Sequence, residues 1–252
     1  MKPWQFGLLF LGVLGFVTTL TALFSYGYFQ QGARKQVLAQ ANLMMETALA
    51  MRTYTSEQIK PLTLLRRQSE FHQQWIPAYA ATEIFNYLRA KYPEYTYREP
   101  TLNPTNLRDT AVGWEADVIN VFRNDSKVKE LTGERATPTG TALYLARPIV
   151  ATKACLECHS VPAAAPKAML QEYGDRNGFG WHLNEIIGAQ VVSVPFSVSY
   201  DLAKSSFRIL IASLLLVGIG ALIAFYFALT FVVIRPLRRK IASSQRLSTH
   251  PD

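Results

Sequence analysis

Cysteine is nearly absent from this chain: Cys155 and Cys158 are the whole complement in 252 residues. A structural zinc site ordinarily wants four ligands, often with a second cysteine pair, and no such pair exists. Outside the cysteine cluster the histidines are His72, His182 and His250, none at paired-ligand spacing. Charge is scarce too, with 17% charged residues against 49% hydrophobic. Internal repeats and low-complexity segments are lacking, which excludes solenoid and repeat-array architectures.

What the chain does have is two long runs without charge. Residues 6–29 form one of 24 residues and residues 209–234 one of 26. Each exceeds the roughly 20 apolar residues that cross a hydrocarbon core. The first is too long for a signal-peptide core of about 7–15 residues and no small-x-small cleavage site comes after it, so it reads as an uncleaved anchor. Basic residues set the orientation. The tail carries Arg235, Arg238, Arg239, Lys240 and Arg246 against one acid, Asp252, and the N-terminus carries Lys2.

Both ends (residues 1–5 and 235–252) therefore read as cytoplasmic, and residues 30–208 as extracytoplasmic. That segment holds 20 basic and 17 acidic residues. The formal charge of +8 is thus mostly tail, which argues for membrane orientation and against nucleic-acid binding. Arg34, Lys35, Lys204 and Arg208 flank the spans on the outer side and oppose the contrast, but long loops count little in this rule. The 179 external residues suffice for one domain with a core.

Inside that segment stands Cys155-Leu156-Glu157-Cys158-His159. Cys-x-x-Cys-His is the attachment signature of a c-type haem. Two thiols at this spacing reach neighbouring vinyl groups of one porphyrin, and the adjacent imidazole is placed to ligate the iron. A thioredoxin-like redox pair would sit in a βαβ pattern, which does not surround it; a plain disulfide is the remaining bland reading. Haem attachment occurs outside the cytoplasm, where the charge rule independently puts the motif. One covalent haem c per chain is expected.

Periodicity outlines the rest. Val37, Leu38, Ala41, Met44, Met45, Ala48 and Leu49 recur at helical steps, so one long helix leaves the first span, and Pro61 is expected to break the helical run. A turn marked by Pro77 and a helix over 80–91 come next, then a short strand over 93–99 and a turn cluster over 102–106. A helix over 113–123 should face Trp114, Val118, Val121 and Phe122 inward. Residues 131–140 read as loop and 143–150 as a central strand. Residues 155–159 read as a loop or short turn. A short helix over 167–173, a glycine-rich aromatic stretch over 174–181, a strand over 188–196 and a second long helix over 199–234 complete the chain. This order suggests α+β with an antiparallel sheet, bracketed by two membrane-continuous helices.

Several motifs in one order carry a resemblance. They are Arg52-x-Tyr54-Thr55, Pro77-Ala78-Tyr79-Ala80, Leu102-Asn103-Pro104-Thr105-Asn106 and Ala146-Arg147-Pro148. Cys155-Leu156-x-Cys158-His159-Ser160, Tyr173-Gly174 with Gly178-Phe179-Gly180-Trp181, and Gly188-Ala189-Gln190 with Val194-Pro195 come after them. The chain resembles, over residues 33–200, the c-type haem domains with a PAS-like fold, which are periplasmic, membrane-anchored sensor modules often placed before a HAMP linker and a kinase or cyclase. The resemblance implies a PAS-like antiparallel sheet with flanking helices, haem held by Cys155 and Cys158, and His159 as proximal ligand. Ile234-Arg235-Pro236-Leu237-Arg238-Arg239 looks like the start of a HAMP linker, although a basic stop-transfer flank reads the same way. The sequence ends at Asp252, short of a complete HAMP unit. Any signalling output is therefore expected from a separate protein, or is absent.

The second iron ligand decides the chemistry, because a bis-ligated iron moves electrons and an open position binds a gas. Met44 and Met51 share a helical face with Ala48 and are candidates, with core packing as the competing reading; His72 and His182 are alternatives. Arg52, Arg147, Lys153 and Tyr144 are candidates for the haem propionates, and Phe179 and Trp181 for aromatic walls. The leading expectation is a sensor of redox state or of a small gas ligand. Its alternative is a membrane-anchored electron-transfer cytochrome; an enzyme is not expected, since nothing marks a distal acid or base. The expected partners are the membrane, a second copy of the chain and a separate signalling or electron-transfer protein. The expected location is the inner membrane, with the haem domain in the periplasm or, in a photosynthetic cell, the thylakoid lumen.

Overall fold

A computed structural model describes residues 3–64 and 71–236 of the chain. The basic tail beyond Pro236, with Arg238, Arg239, Lys240 and Arg246, and Lys2 and His250 lie outside the described residues. The chain divides into two units, one made of Met1–Gly32 with Asp201–Asp252 and the other of Ala33–Tyr200.

In the first unit, helix α1 (Pro3–Tyr54) and helix α7 (Phe196–Ala228, continued by a π-helical segment Leu229–Ile234) supply two apolar stretches. Both are long and apolar enough to cross a membrane, by length and composition. They meet through aromatic contacts: Phe10 stacks on Phe225 with centroids 4.5 Å apart, and Tyr26 and Phe29 set their edges against Phe207. Most of their large side chains, such as Leu9, Phe16, Leu216 and Val232, are exposed. Apolar surface left exposed on this scale is suited to an apolar surrounding.

The second unit is built on a four-stranded antiparallel sheet with order β1-β4-β3-β2. Its strands are β1 (Thr96–Arg98), β2 (Leu131–Thr137), β3 (Gly140–Val150) and β4 (Ile186–Pro195). The α+β arrangement with an antiparallel sheet is therefore the one the sequence pattern implied. The two central strands are covered on both faces, which is why each reads as a nearly continuous apolar run. Leu143 and Leu145 on β3 lie opposite Val194 and Val192 on β4. These four join Val37, Ala41, Met45 and Ala48 of α1, and Ala81 and Phe85 of helix α3 (Pro77–Arg89), in one core. The alternate residues, Ala146 on β3 with Ala189 and Val191 on β4, face helix α4 (Gly113–Asn124) and its Val118, Ile119 and Phe122. Fully burying a side chain such as Leu145 stabilises by roughly 1.5–3 kcal/mol.

Several expectations are corrected. Residues 131–140 are not loop: β2 pairs along its whole length with β3 through a tight turn at Pro138 and Thr139. It is an edge strand with one solvated face, so its polar alternation concealed it. Gly133 permits this pairing, because the Tyr144 ring occupies the space a Cβ would need. Pro61 does not end the helical run. A π-helical turn (Thr55–Ile59) leads directly into α2 (Lys60–Leu64), so the helical run passes through Pro61. On α4 the inward residue is Ile119, fully buried, while Val121 is 43% exposed.

Candidate functional site

Strand β3 delivers the chain to the cysteines. Ala151 is fixed by two backbone bonds, its N–H donating to the Glu185 carbonyl at 2.8 Å and its own carbonyl accepting from Asn184 at 2.9 Å. Thr152 then adopts an extended backbone and caps helix α5 (Lys153–His159), its carbonyl accepting from Cys155 at 3.0 Å. The cysteine motif is thus helical and not the loop expected. That matters for chemistry. Residues three and four apart share a helical face, so Cys155, Cys158 and His159 project from one side of α5. Both cysteines are free and half-buried. Burial pushes the Cys158 thiol up, against a smaller opposing pull from Lys60.

A glycine-rich loop closes over the end of α5. Gly180 donates to the Ser160 carbonyl at 3.0 Å and Trp181 to that of His159 at 3.2 Å, partnering carbonyls that a helix C-terminus leaves open. The Trp181 indole lies flat on the His159 imidazole, with centroids 4.0 Å apart and planes 13° from parallel. Nδ1 of His159 is 2.7 Å from the Gly178 carbonyl oxygen. A carbonyl can only accept, so Nδ1 carries the proton and Nε2 keeps its lone pair. This is the tautomer of a metal-ligating histidine, held by a second partner. Burial lowers the His159 pKa, with the Gly178 bond opposing in part, so the ring is kept neutral.

The turn cluster over 102–106 positions that carbonyl. Asn103 Oδ1 accepts from Gly178 N–H at 3.0 Å, and its Nδ2 donates to the Phe179 carbonyl at 3.4 Å. Thr105 Oγ1 stands 3.3 Å from His159 Nδ1. Gly178 has φ of +78°, and a Cβ there would overlap the Thr105 side chain and come within 2.8 Å of its Cα. Only glycine meets both demands. Asn103, Thr105 and Gly178 belong to motifs visible in the sequence, but nothing in their spacing assigned them to His159.

A second polar cluster holds α1 to the sheet. Arg52 pairs with Glu99, Tyr97 OH donates to Glu99 Oε1 at 2.7 Å, and Gln190 Nε2 donates to the Tyr97 oxygen at 3.1 Å. Burial and the adjacent Glu99 push the Tyr97 phenol far above its ordinary value. Burial alone would lower the Arg52 pKa, but Glu99 and weaker neighbours, Cys155 among them, raise it. Sequence reasoning missed Glu99, Tyr97 and Gln190 as partners of Arg52.

The structure brings Cys155, Cys158 and His159 onto one helix, with Trp181 stacked on His159 and the Phe179 carbonyl held by Asn103 in the loop that carries Gly178. Arg147 and Tyr144 point elsewhere. Arg147 donates to Glu46 at 2.7 Å and to Glu130 at 2.9 Å, while Tyr144 packs against Trp114 on the α4 side of the sheet. Met44 is buried in the core between α1 and the sheet; Met51 packs against that core, and its Sδ lies 3.9 Å from Thr55 Oγ1. His182 is 85% exposed beside Glu185, and His72 sets its ring against Trp75. Lys153 opens α5 on its exposed side.

Two half-exposed thiols and a neutral imidazole with a free Nε2, all on one helical face, fit a covalently held, histidine-ligated haem. The family model described as Tll0287-like (Tll0287) matches residues 30–195, more than half of the chain. No curated protein matches. Among solved structures, the crystal structure of the cyanobacterial heme-protein Tll0287 is similar, with 17% identity and a TM-score of 0.49 over 63% of this chain and 94% of that one.

Proposed function

The chain belongs to the Tll0287-like family, and from that premise and the tautomer fixed on His159 we propose that it is a membrane-anchored c-type haem protein. Cys155 and Cys158 would supply the two thioether sulfurs, and His159 Nε2 would ligate the iron. When bound, the haem supplies an iron that changes oxidation state or takes a gas at an open position. The chain's own residues do the rest. Gly178 keeps the Nδ1 proton in place, Asn103 fixes Gly178, and Trp181 restrains the plane of the imidazole. Lys153 and Arg52, near α5, are the candidates among the proposed propionate partners that remain closest to the cysteine motif.

The domain senses haem redox state or a small gas ligand, without catalysing a reaction. The observation that carries the haem assignment is the His159–Gly178 hydrogen bond, which fixes the tautomer that a metal ligand needs. The continuity of α1 supports a sensing role over simple electron transfer, since one helix carries both an apolar stretch and the core face with Val37, Ala41, Met45 and Ala48. A helix packed this way can shift between discrete arrangements. In this reading the two apolar stretches span the inner membrane, residues 30–208 lie on its outer side, the chain pairs with a second copy, and a separate protein carries the output.

Absorption spectra of the full chain, oxidised and reduced, with and without carbon monoxide, test it. A c-type spectrum with prompt carbon monoxide binding supports gas sensing. A six-coordinate spectrum unmoved by carbon monoxide supports redox sensing or electron transfer, and directs ligand mutagenesis to Met44 and Met51. Replacing Cys155 and Cys158 together by alanine abolishes covalent haem; a haem-staining band surviving on a denaturing gel refutes the assignment.

A further inference from the structure

A cleft of about 380 Å³ opens beside the N-terminus of α4, within the second unit, and none of residues 155–159 lines it. Its size falls within the roughly 300–1,000 Å³ of small-molecule sites. Four arginines line it: Arg89 from the end of α3, Arg98 from β1, Arg108, and Arg135 from β2, with Trp114 as an apolar wall. Glu115 is the one acid in the lining.

Part of this charge is already answered. Arg98 Nη1 lies 3.3 Å from Glu115 Oε1, and the other oxygen of Glu115 accepts from the Val112 N–H at 3.0 Å. Arg108 pairs with Glu83 at 2.5 Å. Arg89 and Arg135 have no carboxylate partner among the described residues. The Arg135 guanidinium lies 4.7 Å from the centroid of Trp114, and its buried Nε has no hydrogen-bond partner there. Ser193, 3% exposed on β4 and part of the same lining, has an equally unpartnered Oγ. Buried donors are ordinarily satisfied. Arg89 is exposed to solvent, so the half-buried Arg135 and the buried Ser193 hydroxyl are the groups left to be answered inside the cleft.

We propose that this cleft binds a small oxyanion, a carboxylate or a phosphate. Arg135 and Arg89 take its charge, Ser193 Oγ donates to it, and Trp114 covers its carbon skeleton. Arginine suits the task because its planar fork matches both groups. The site stands next to the His159 clamp in the chain: Arg98 Nη2 donates to the carbonyls of Arg108 and Thr110, each at 3.2 Å, closing the loop that also carries Asn103 and Thr105. Its residues are nonetheless distinct from those of the clamp, so it stands or falls independently of haem.

The test is thermal unfolding of the full chain in detergent, read by tryptophan fluorescence. Sodium phosphate and disodium succinate are titrated separately, with ionic strength held constant by sodium chloride. A saturable rise in the midpoint with at least one of them is expected. Saturation by phosphate alone assigns a phosphoryl ligand, and by succinate alone a carboxylate. Arg135→Gln and Arg89→Gln each raise the half-saturating concentration at least tenfold, and Ser193→Ala raises it several-fold. Circular dichroism confirms folding; should Arg135→Gln fail to fold, Arg89→Gln, on the exposed end of α3, carries the test. No saturable rise with either anion overturns the proposal, as does an unchanged half-saturating concentration in both arginine variants.

Discussion

Two polar clusters sit on the second unit, and they are built on opposite principles. The His159 clamp uses neutral groups and backbone: a glycine carbonyl, an asparagine amide, a threonine hydroxyl and an indole face. The Arg52 cluster uses charge: a guanidinium on a carboxylate that is itself 5% exposed, with a phenol and an amide filling the remaining positions. The first leaves one atom, Nε2 of His159, without a partner among the described residues. The second pairs its central groups with one another. A cluster meant to hold a ligand keeps a lone pair in reserve, whereas a cluster meant to join two elements closes every bond it can.

Breaking the charged cluster should have the largest effect on stability. Glu99→Gln removes the charge opposite a largely buried guanidinium, and stranding one partner of a buried pair costs about 3–5 kcal/mol. Chemical denaturation of the full chain should show a loss of that order. Replacing both members, Arg52→Met with Glu99→Leu, should recover most of it, because a buried pair contributes little over apolar residues of similar volume. A double mutant as unstable as Glu99→Gln alone would show that the pair has a role beyond holding α1.

Next in size is Gly178→Ala. It places a Cβ against Thr105 at a positive φ, and strain of this kind costs about 1–3 kcal/mol. Its signature should differ from that of the charged cluster, because the carbonyl holding His159 must move. The expected result is modest destabilisation together with an altered haem spectrum, while Glu99→Gln should leave the spectrum near that of the parent. A spectrum unchanged in Gly178→Ala would mean that the clamp does not govern the imidazole. Tyr97→Phe ranks below both. It removes the donor to Glu99 and the acceptor of Gln190, at a cost of about 1–3 kcal/mol, readable by the same denaturation.

The contrast between the clusters also explains what the sequence could disclose. Long periodic stretches were legible: the α1 face from Val37 to Ala48, the apolar run of β3 and the short helix over 167–173 all form as their pattern implies. The cysteine motif was legible because its chemistry fixes its spacing. β2 was not, since Leu131 to Thr137 is polar on its solvated side and gains its strand conformation from pairing with β3. The partners of His159 were hidden for a related reason. Asn103 and Thr105 lie far from it in the chain, and Gly178 acts through its carbonyl, which no residue type announces. Arg147 illustrates the converse. It was a candidate for a haem propionate, yet Glu46 and Glu130 take up its donors.

The smallest expected effect concerns Glu185, which couples the strand end to the cysteine helix through its backbone bond to Ala151. Partial burial raises the pKa of its carboxyl, but the His182 N–H and side chain and Arg123 outweigh that and leave it below its ordinary value. The folded state therefore prefers the carboxylate more than the unfolded chain does. A depressed carboxyl pKa gives stability that is complete above the unfolded value, near 4.5, and lost as pH falls through the folded one. Glu185→Gln removes this contribution, so wild type and variant should differ at pH 7, by about 1 kcal/mol or less for a partly exposed pair, and converge as pH falls through the depressed folded value. A difference that persists undiminished into acid would assign the effect to shape instead of charge. Because Glu185 lies outside both polar clusters, its loss should leave the haem spectrum and the Arg52–Glu99 coupling unchanged.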